Sequence, residues 1–193
     1  MKETIIKIIE NMDAEKIAGT LNSEESPEAL YANLCIRMIA DNDYTLTRLI
    51  KMLTISNYLN GYFDQERFDL CKKEYSDFEE KEKKYLYKTE KNSRYFCERR
   101  SFLRTEIDKF LKTKYGSKLE SLKRIPNLDT MSCIIDRTII ECFRMKWHDT
   151  NNDIDRVAYQ MEILSVLDVF YNSIEVSSVK FGYDYFAEAR TFL

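Results

Sequence analysis

An all-α fold is predicted, in the form of a helical bundle with a long projecting helix or helical hairpin. Three observations predict it. The 193 residues contain only four glycines (Gly19, Gly61, Gly116 and Gly182) and two prolines (Pro27 and Pro126). A β-rich chain needs positive-φ and proline-shaped turns at short intervals, and this sequence has too few such residues to supply them. Residues 65–114 hold neither glycine nor proline, and apolar residues recur at helical spacing through most of the remainder. With 44% hydrophobic and 33% charged residues and 25 aromatic side chains, the chain has the composition of a globular protein able to bury a core without metal or disulfide.

Ile5, Ile6, Ile8 and Ile9 predict a short amphipathic first helix. Ser26-Pro27-Glu28 is a helix start: serine caps, proline takes the first helical position, and glutamate faces the positive end of the dipole. Leu30, Leu34, Ile36 and Met38 carry that helix to about Ala40. Asp43 or Thr45 opens a third helix through Leu46, Leu49, Ile50, Leu53 and Tyr58, with Gly61 expected as its C-terminal glycine. Asp64 is expected to cap the next element. That element runs from Gln65 to Lys114, as one helix or as two with a break near Asn92-Ser93; unbroken, it would reach about 75 Å. Glu79 to Lys84 is charged throughout, so this stretch is expected to project into solvent or to meet a charged partner.

Gly116-Ser117 and Pro126 bracket a short linking helix. Asp129 then opens an apolar helix with Ile134, Ile135, Ile139, Ile140 and Phe143. Asp149 to Asp153 forms a polar loop that provides the next cap. Val157, Met161, Leu164, Leu167, Phe170, Tyr171 and Ile174 form a helical stripe, and Tyr183 to Leu193 forms a last amphipathic helix. The expected organisation is a single helical domain over 1–193, with residues 1–62 and 129–193 as the bundle and 63–124 as the long basic helix or hairpin.

Five cysteines at 35, 71, 97, 133 and 142 are odd in number, and the closest two are nine residues apart. They read as reduced, mostly buried thiols of a cytoplasmic or nuclear protein. The first twelve residues are interrupted by Glu3 and Glu10, unlike a signal peptide. No uncharged apolar run approaches the roughly 18–20 residues of a membrane span. An intracellular protein without a membrane span is therefore expected.

Catalytic devices are sparse. No two glycines are close enough for a phosphate-binding loop or a dinucleotide fingerprint. Cysteine and histidine do not cluster as a zinc site requires, and one histidine cannot furnish the paired Glu-x-x-His of a di-metal bundle. His148, in Trp147-His148-Asp149, is explained by a position near a helix C-terminus. A helical RNase of the HEPN kind separates arginine from histidine by four to six residues. Arg144 and His148 are separated by three, one short of that pattern. Trp147 is expected in the core or at its edge. No cofactor, metal site or catalytic residue is predicted.

The charge is uneven. Residues 81–124 hold fifteen Lys or Arg against six Asp or Glu, a net of +9, whereas the rest of the chain holds fifteen against twenty-seven, a net of −12. Tyr85, Tyr87, Tyr95, Phe96, Phe102, Phe110 and Tyr115 are interleaved with these cations. A local basic stripe laced with planar side chains suits a phosphate backbone. The predicted function is contact with nucleic acid or a ribonucleoprotein through Lys83, Lys84, Lys88, Lys91, Arg94, Arg99, Arg100 and Arg104, with Tyr87 or Tyr95 stacking. The competing expectations are a solvated helix whose charges pair locally, and a protein–protein adaptor that uses an apolar helix face, possible as a homodimer.

Ile163-Leu164-Ser165-Val166-Leu167-Asp168-Val169, followed by Glu175-Val176 and Phe181-Gly182-Tyr183, resembles the end of the lever helices of MutS-type mismatch-repair proteins. There a helix carries a similar Leu-Asp-Val, then a tyrosine, shortly before the ATPase domain. Gly61-Tyr62 with Phe68-Asp69-Leu70, and Thr89-Glu90-Lys91-Asn92 before Arg94-Tyr95, fall in that family's order, so the resemblance spans residues 60–190. The ATPase, the mismatch-reading domain and the arginine-proline near the end have no counterpart in this sequence, and no functional residue is carried across. The resemblance implies a lever-and-clamp architecture that touches a nucleic-acid backbone without cleaving it.

Overall fold

The computed structural model describes residues 2–10, 26–40, 43, 45–74, 77–115 and 131–177. Six helices and no strand occur among them: α1 (Lys2–Glu10), α2 (Pro27–Met38), α3 (Thr45–Leu70), α4 (Glu80–Tyr115), α5 (Met131–Thr150) and α6 (Ile154–Ser177). The expectations for the linking helix between Gly116 and Pro126, for Asp129 and for the helix from Tyr183 to Leu193 lie outside the described residues. So do those for the side chains of Phe170, Tyr171 and Ile174.

Several helix ends follow from local chemistry. Ser26 Oγ accepts from the Ala29 backbone N–H at 3.2 Å, with Pro27 at the first helical position, which satisfies one donor the helix cannot satisfy itself. Asp43 accepts from Ala40 N at 2.8 Å and binds Lys51 at 2.7 Å; α3 itself opens at Thr45. Between α5 and α6 a tight turn places Asn152 at φ 54°, a left-handed conformation asparagine tolerates. Asp153 then caps α6, accepting from Arg156 N at 3.3 Å.

The long basic segment is two helices, one ending at Leu70 and the next starting at Glu80, and no break occurs near Asn92-Ser93. The restart has a local cause. Glu82 Oε2 accepts from Glu79 N at 3.0 Å, so the third residue of α4 reaches back to the residue before the helix, one half of a capping box. Asn92 and Ser93 are buried inside α4. Gly61 does not end α3 but sits in its exposed middle, and Asp64 is a helical residue rather than a cap. Packing of α3 along α4 overrides the modest helix penalty of one glycine.

α3 and α4 form an antiparallel hairpin, as the contacts Ser56–Phe96, Asn60–Ser93 and Glu66–Tyr85 require. α5 contacts α1, α3, α4 and α6, and α2 lies across α3 and α4. One apolar cluster joins α1, α3, α4, α5 and α6 through residues such as Ile5, Leu53, Ile107, Ile135 and Leu164. A second joins α2, α3 and α4 around Phe96, which stacks on Phe63 with ring centroids 5.9 Å apart. Met52 and Phe143 touch both clusters. Outward from Phe63 on α3 and from Thr89 on α4, no helical side chain of the hairpin is fully buried. This end projects from the bundle, joined by Tyr85 Oη donating to Glu66 at 2.9 Å, by the Lys73–Glu82 pair at 2.6 Å and by the buried Phe78.

Candidate nucleic-acid interface

α4 spans 36 residues, about 54 Å at 1.5 Å per residue. Its inner face is apolar and seated against the bundle through Phe96, Leu103, Ile107 and Leu111. That seat fixes which residues turn outward. Lys84, Lys88 and Lys91 recur at i, i+4 and i+7, as do Tyr87, Lys91 and Arg94, so all five share one side of the helix. All five are exposed, Tyr87 to 70%. Lys84, Lys88 and Lys91 form no ion pair with a described residue. Arg94 meets Glu90 at 3.8 Å and Lys83 meets Glu80 at 3.4 Å, both at the surface, where such pairs are weak and easily exchanged.

The other predicted residues are placed differently. Arg100 is turned inward: Nη2 donates to Asp136 Oδ2 at 2.9 Å and Nη1 to Asn60 Oδ1 at 2.8 Å. Arg104 lies 3.7 Å from the same carboxylate and 3.9 Å from Cys133 Sγ. Asn57 Nδ2 donates to Asp136 Oδ1 at 2.8 Å, and Asn60 Nδ2 to Ser93 Oγ at 3.1 Å. Ser93 Oγ in turn donates to Asp64 Oδ1 at 2.6 Å. These residues tie α3, α4 and α5 together in an interior network and are spent on structure. The signal for it lay in Asp136, a carboxylate inside the apolar run of α5, which burial obliges to find cationic or amide partners.

Arg99 sits at the margin of the outer face. Its Cζ lies 5.0 Å from the Tyr31 ring centroid and 5.3 Å from that of Phe102. Tyr31 Oη donates to Met52 O at 3.3 Å, and burial pushes its hydroxyl well above the usual tyrosine range. Burial likewise raises the neighbouring Cys35 thiol. Tyr95 rests edge-on against Phe96 at 5.1 Å and belongs to the rim of the second apolar cluster. Phe102, not selected from the sequence, is half exposed. Its spacing from Lys91 and Tyr95, eleven and seven residues, continues the outer stripe and was a usable signal.

Elsewhere, His148 Nδ1 lies 3.4 Å from Asp153 Oδ2, closing the α5–α6 turn, while Arg144 meets the buried Glu141 at 3.2 Å. Trp147 is 57% exposed rather than anchored in the core. It lies in the last turn of α5, whose residues are mostly exposed. Among the described residues no group of three or more His, Cys, Asp or Glu could hold a metal ion. No described helix is long and apolar enough to cross a membrane. Comparison with protein-family models, with curated proteins and with solved structures gave no match in any of the three.

Proposed function

We propose that this chain is a non-catalytic, intracellular helical binding protein that contacts nucleic acid or a ribonucleoprotein through the outer face of α4. One observation carries this reading: Lys84, Lys88, Lys91 and Arg94 stand with Tyr87 on a single exposed face of α4, turned away from the side that meets α3. Cations held in a row at helical spacing match a phosphate backbone, and an exposed tyrosine among them offers a base a ring to rest on. The lever-and-clamp arrangement implied by the MutS-type resemblance would use such a hairpin in the same way.

A second reading has its own observation. Ile154, Tyr159, Met161 and Val166 of α6 are each more than half exposed; Ile154 with Met161 and Tyr159 with Val166, each pair seven residues apart, form two apolar strips, and either suits a protein partner. The two readings separate in one experiment. The protein is titrated into labelled RNA and DNA at low and physiological salt, beside a Lys84→Glu/Lys88→Glu/Lys91→Glu variant. Binding that falls with salt and vanishes in the variant is expected. Absence of binding at low salt overturns the nucleic-acid reading and leaves the α6 surface as the place to look.

A further inference from the structure

We infer that the ligand of the α4 face is a single strand, and that Phe102, backed by Arg99, is a stacking platform for one of its unpaired bases. This rests on the nucleic-acid reading above and adds to it a ligand class and a residue. Phe102 is a large apolar ring left 51% exposed on α4. Its guanidinium neighbour Arg99 is itself pinned against Tyr31, which is 4% exposed. Arg99 Nε is fully covered and has no hydrogen-bond partner among the described residues. No described carboxylate pairs with Arg99; its guanidinium lies against the two rings and beside the Tyr31 hydroxyl, and it covers one side of Phe102. A ring supported in this way gives up little freedom when a second planar group lands on it.

The arrangement of charge favours a single strand over a duplex. Neutralising a duplex backbone needs cations alone and leaves aromatic rings without a task. A half-exposed phenylalanine beside lysines suits a strand whose bases are unstacked, since every base has a π-face to offer. Lys91 stands eleven residues before Phe102, about 16 Å along the helix axis. Tyr87 stands fifteen before it, about 22 Å. A strand running along α4 would meet the lysine row first, with a ring available near each end. Arg99 adds a cation beside the platform without being free to swing away.

The test measures anisotropy of a short labelled strand of mixed sequence, as RNA and as DNA, and of the same sequence as a duplex. The protein is compared with Phe102→Ala, Phe102→Trp and the triple lysine variant. Phe102→Ala is expected to weaken single-strand binding by about tenfold while leaving the salt slope unchanged, because no cation is lost. Phe102→Trp is expected to keep the affinity, with its added indole emission quenched by the strand. Duplex binding equal to or tighter than single-strand binding overturns the inference. So does an unchanged affinity in Phe102→Ala, even while loss of binding in the lysine variant upholds the broader reading. If neither strand nor duplex binds the unmodified protein, both fall together. Thermal denaturation of the Phe102 variants checks that they are folded, and the ring's partial exposure predicts that they are.

Discussion

Arg100 of α4 and Asp136 of α5 meet at 2.9 Å, with the Asp136 side chain only 5% exposed. This is the central polar contact between the projecting hairpin and the apolar helix behind it. Asn57 and Arg104 crowd the same carboxylate. A buried carboxylate with this many donors is well satisfied, but removing one partner strands a charge. Asp136→Ala is expected to destabilise the fold by about 3–5 kcal/mol, measured by urea denaturation. Replacing both Arg100 and Asp136 by apolar residues should recover much of that loss. Destabilisation that simply adds across the two sites would show that the pair is not coupled.

Gly61 yields a prediction of opposite sign. It lies in the exposed middle of α3, and a Cβ built there would meet nothing within 4 Å. Its backbone is already helical, so the folded state loses nothing when a methyl group is added. Gly61→Ala is expected to stabilise the protein by about 0.5–1 kcal/mol, seen as a shifted urea midpoint with an unchanged slope.

Alkaline stability is expected to depend on Tyr31. Its folded-state pKa is raised, chiefly by burial, and its proton is held beside Met52 O and Cys35. Below pH of about 10, the ordinary tyrosine value, both folded and unfolded chains keep that proton, and its full contribution to stability is present. Above it the unfolded chain releases the proton first, so stability falls as pH rises toward the folded value. Tyr58, Tyr62, Tyr85 and Tyr95 are shifted in the same direction, with burial the leading cause in each. Tyr31→Phe should flatten the decline between pH 9 and 11, measured as urea midpoints. A decline as steep in the variant would assign it to the other tyrosines.

The caps of α2 and α6 were legible because a cap is a local event: Ser26-Pro27 and Asp153 carry the whole signal within four residues. Gly61 and Asn92-Ser93 misled because their meaning depends on a partner. Ser93 reads as a helix breaker until Asn60 and Asp64 of α3 are set opposite it. The true restart at Glu80 was hidden in a charged run whose capping glutamate, Glu82, looks like any surface acid. The basic content of the interface was equally plain, but its direction was not. Lys88 and Arg100 differ little as letters in a basic stretch. Only the seating of α4 on α3 and α5 sends one outward and the other onto Asp136.

That division makes the sharpest prediction about the outer face. Glu98 is an exposed acid on α4 between Arg94 and Phe102, seven residues after Lys91 and therefore on the same side of the helix. If strands run along this face, Glu98 repels the phosphate that passes it. Glu98→Lys should tighten single-strand binding and steepen its dependence on salt by about 0.7 for each added phosphate contact. Lys88→Glu should do the reverse. Neither change should alter the stability measured by urea denaturation by more than about 0.5 kcal/mol, since both side chains are on the surface. Arg100→Glu should behave otherwise, unfolding the protein by placing a second carboxylate beside Asp136. Equal loss of binding from Lys88→Glu and Arg100→Glu, with stability intact in both, would mean that the interior assignment of Arg100 is wrong. A Glu98→Lys variant that binds no more tightly would place the strand's path off this side of α4.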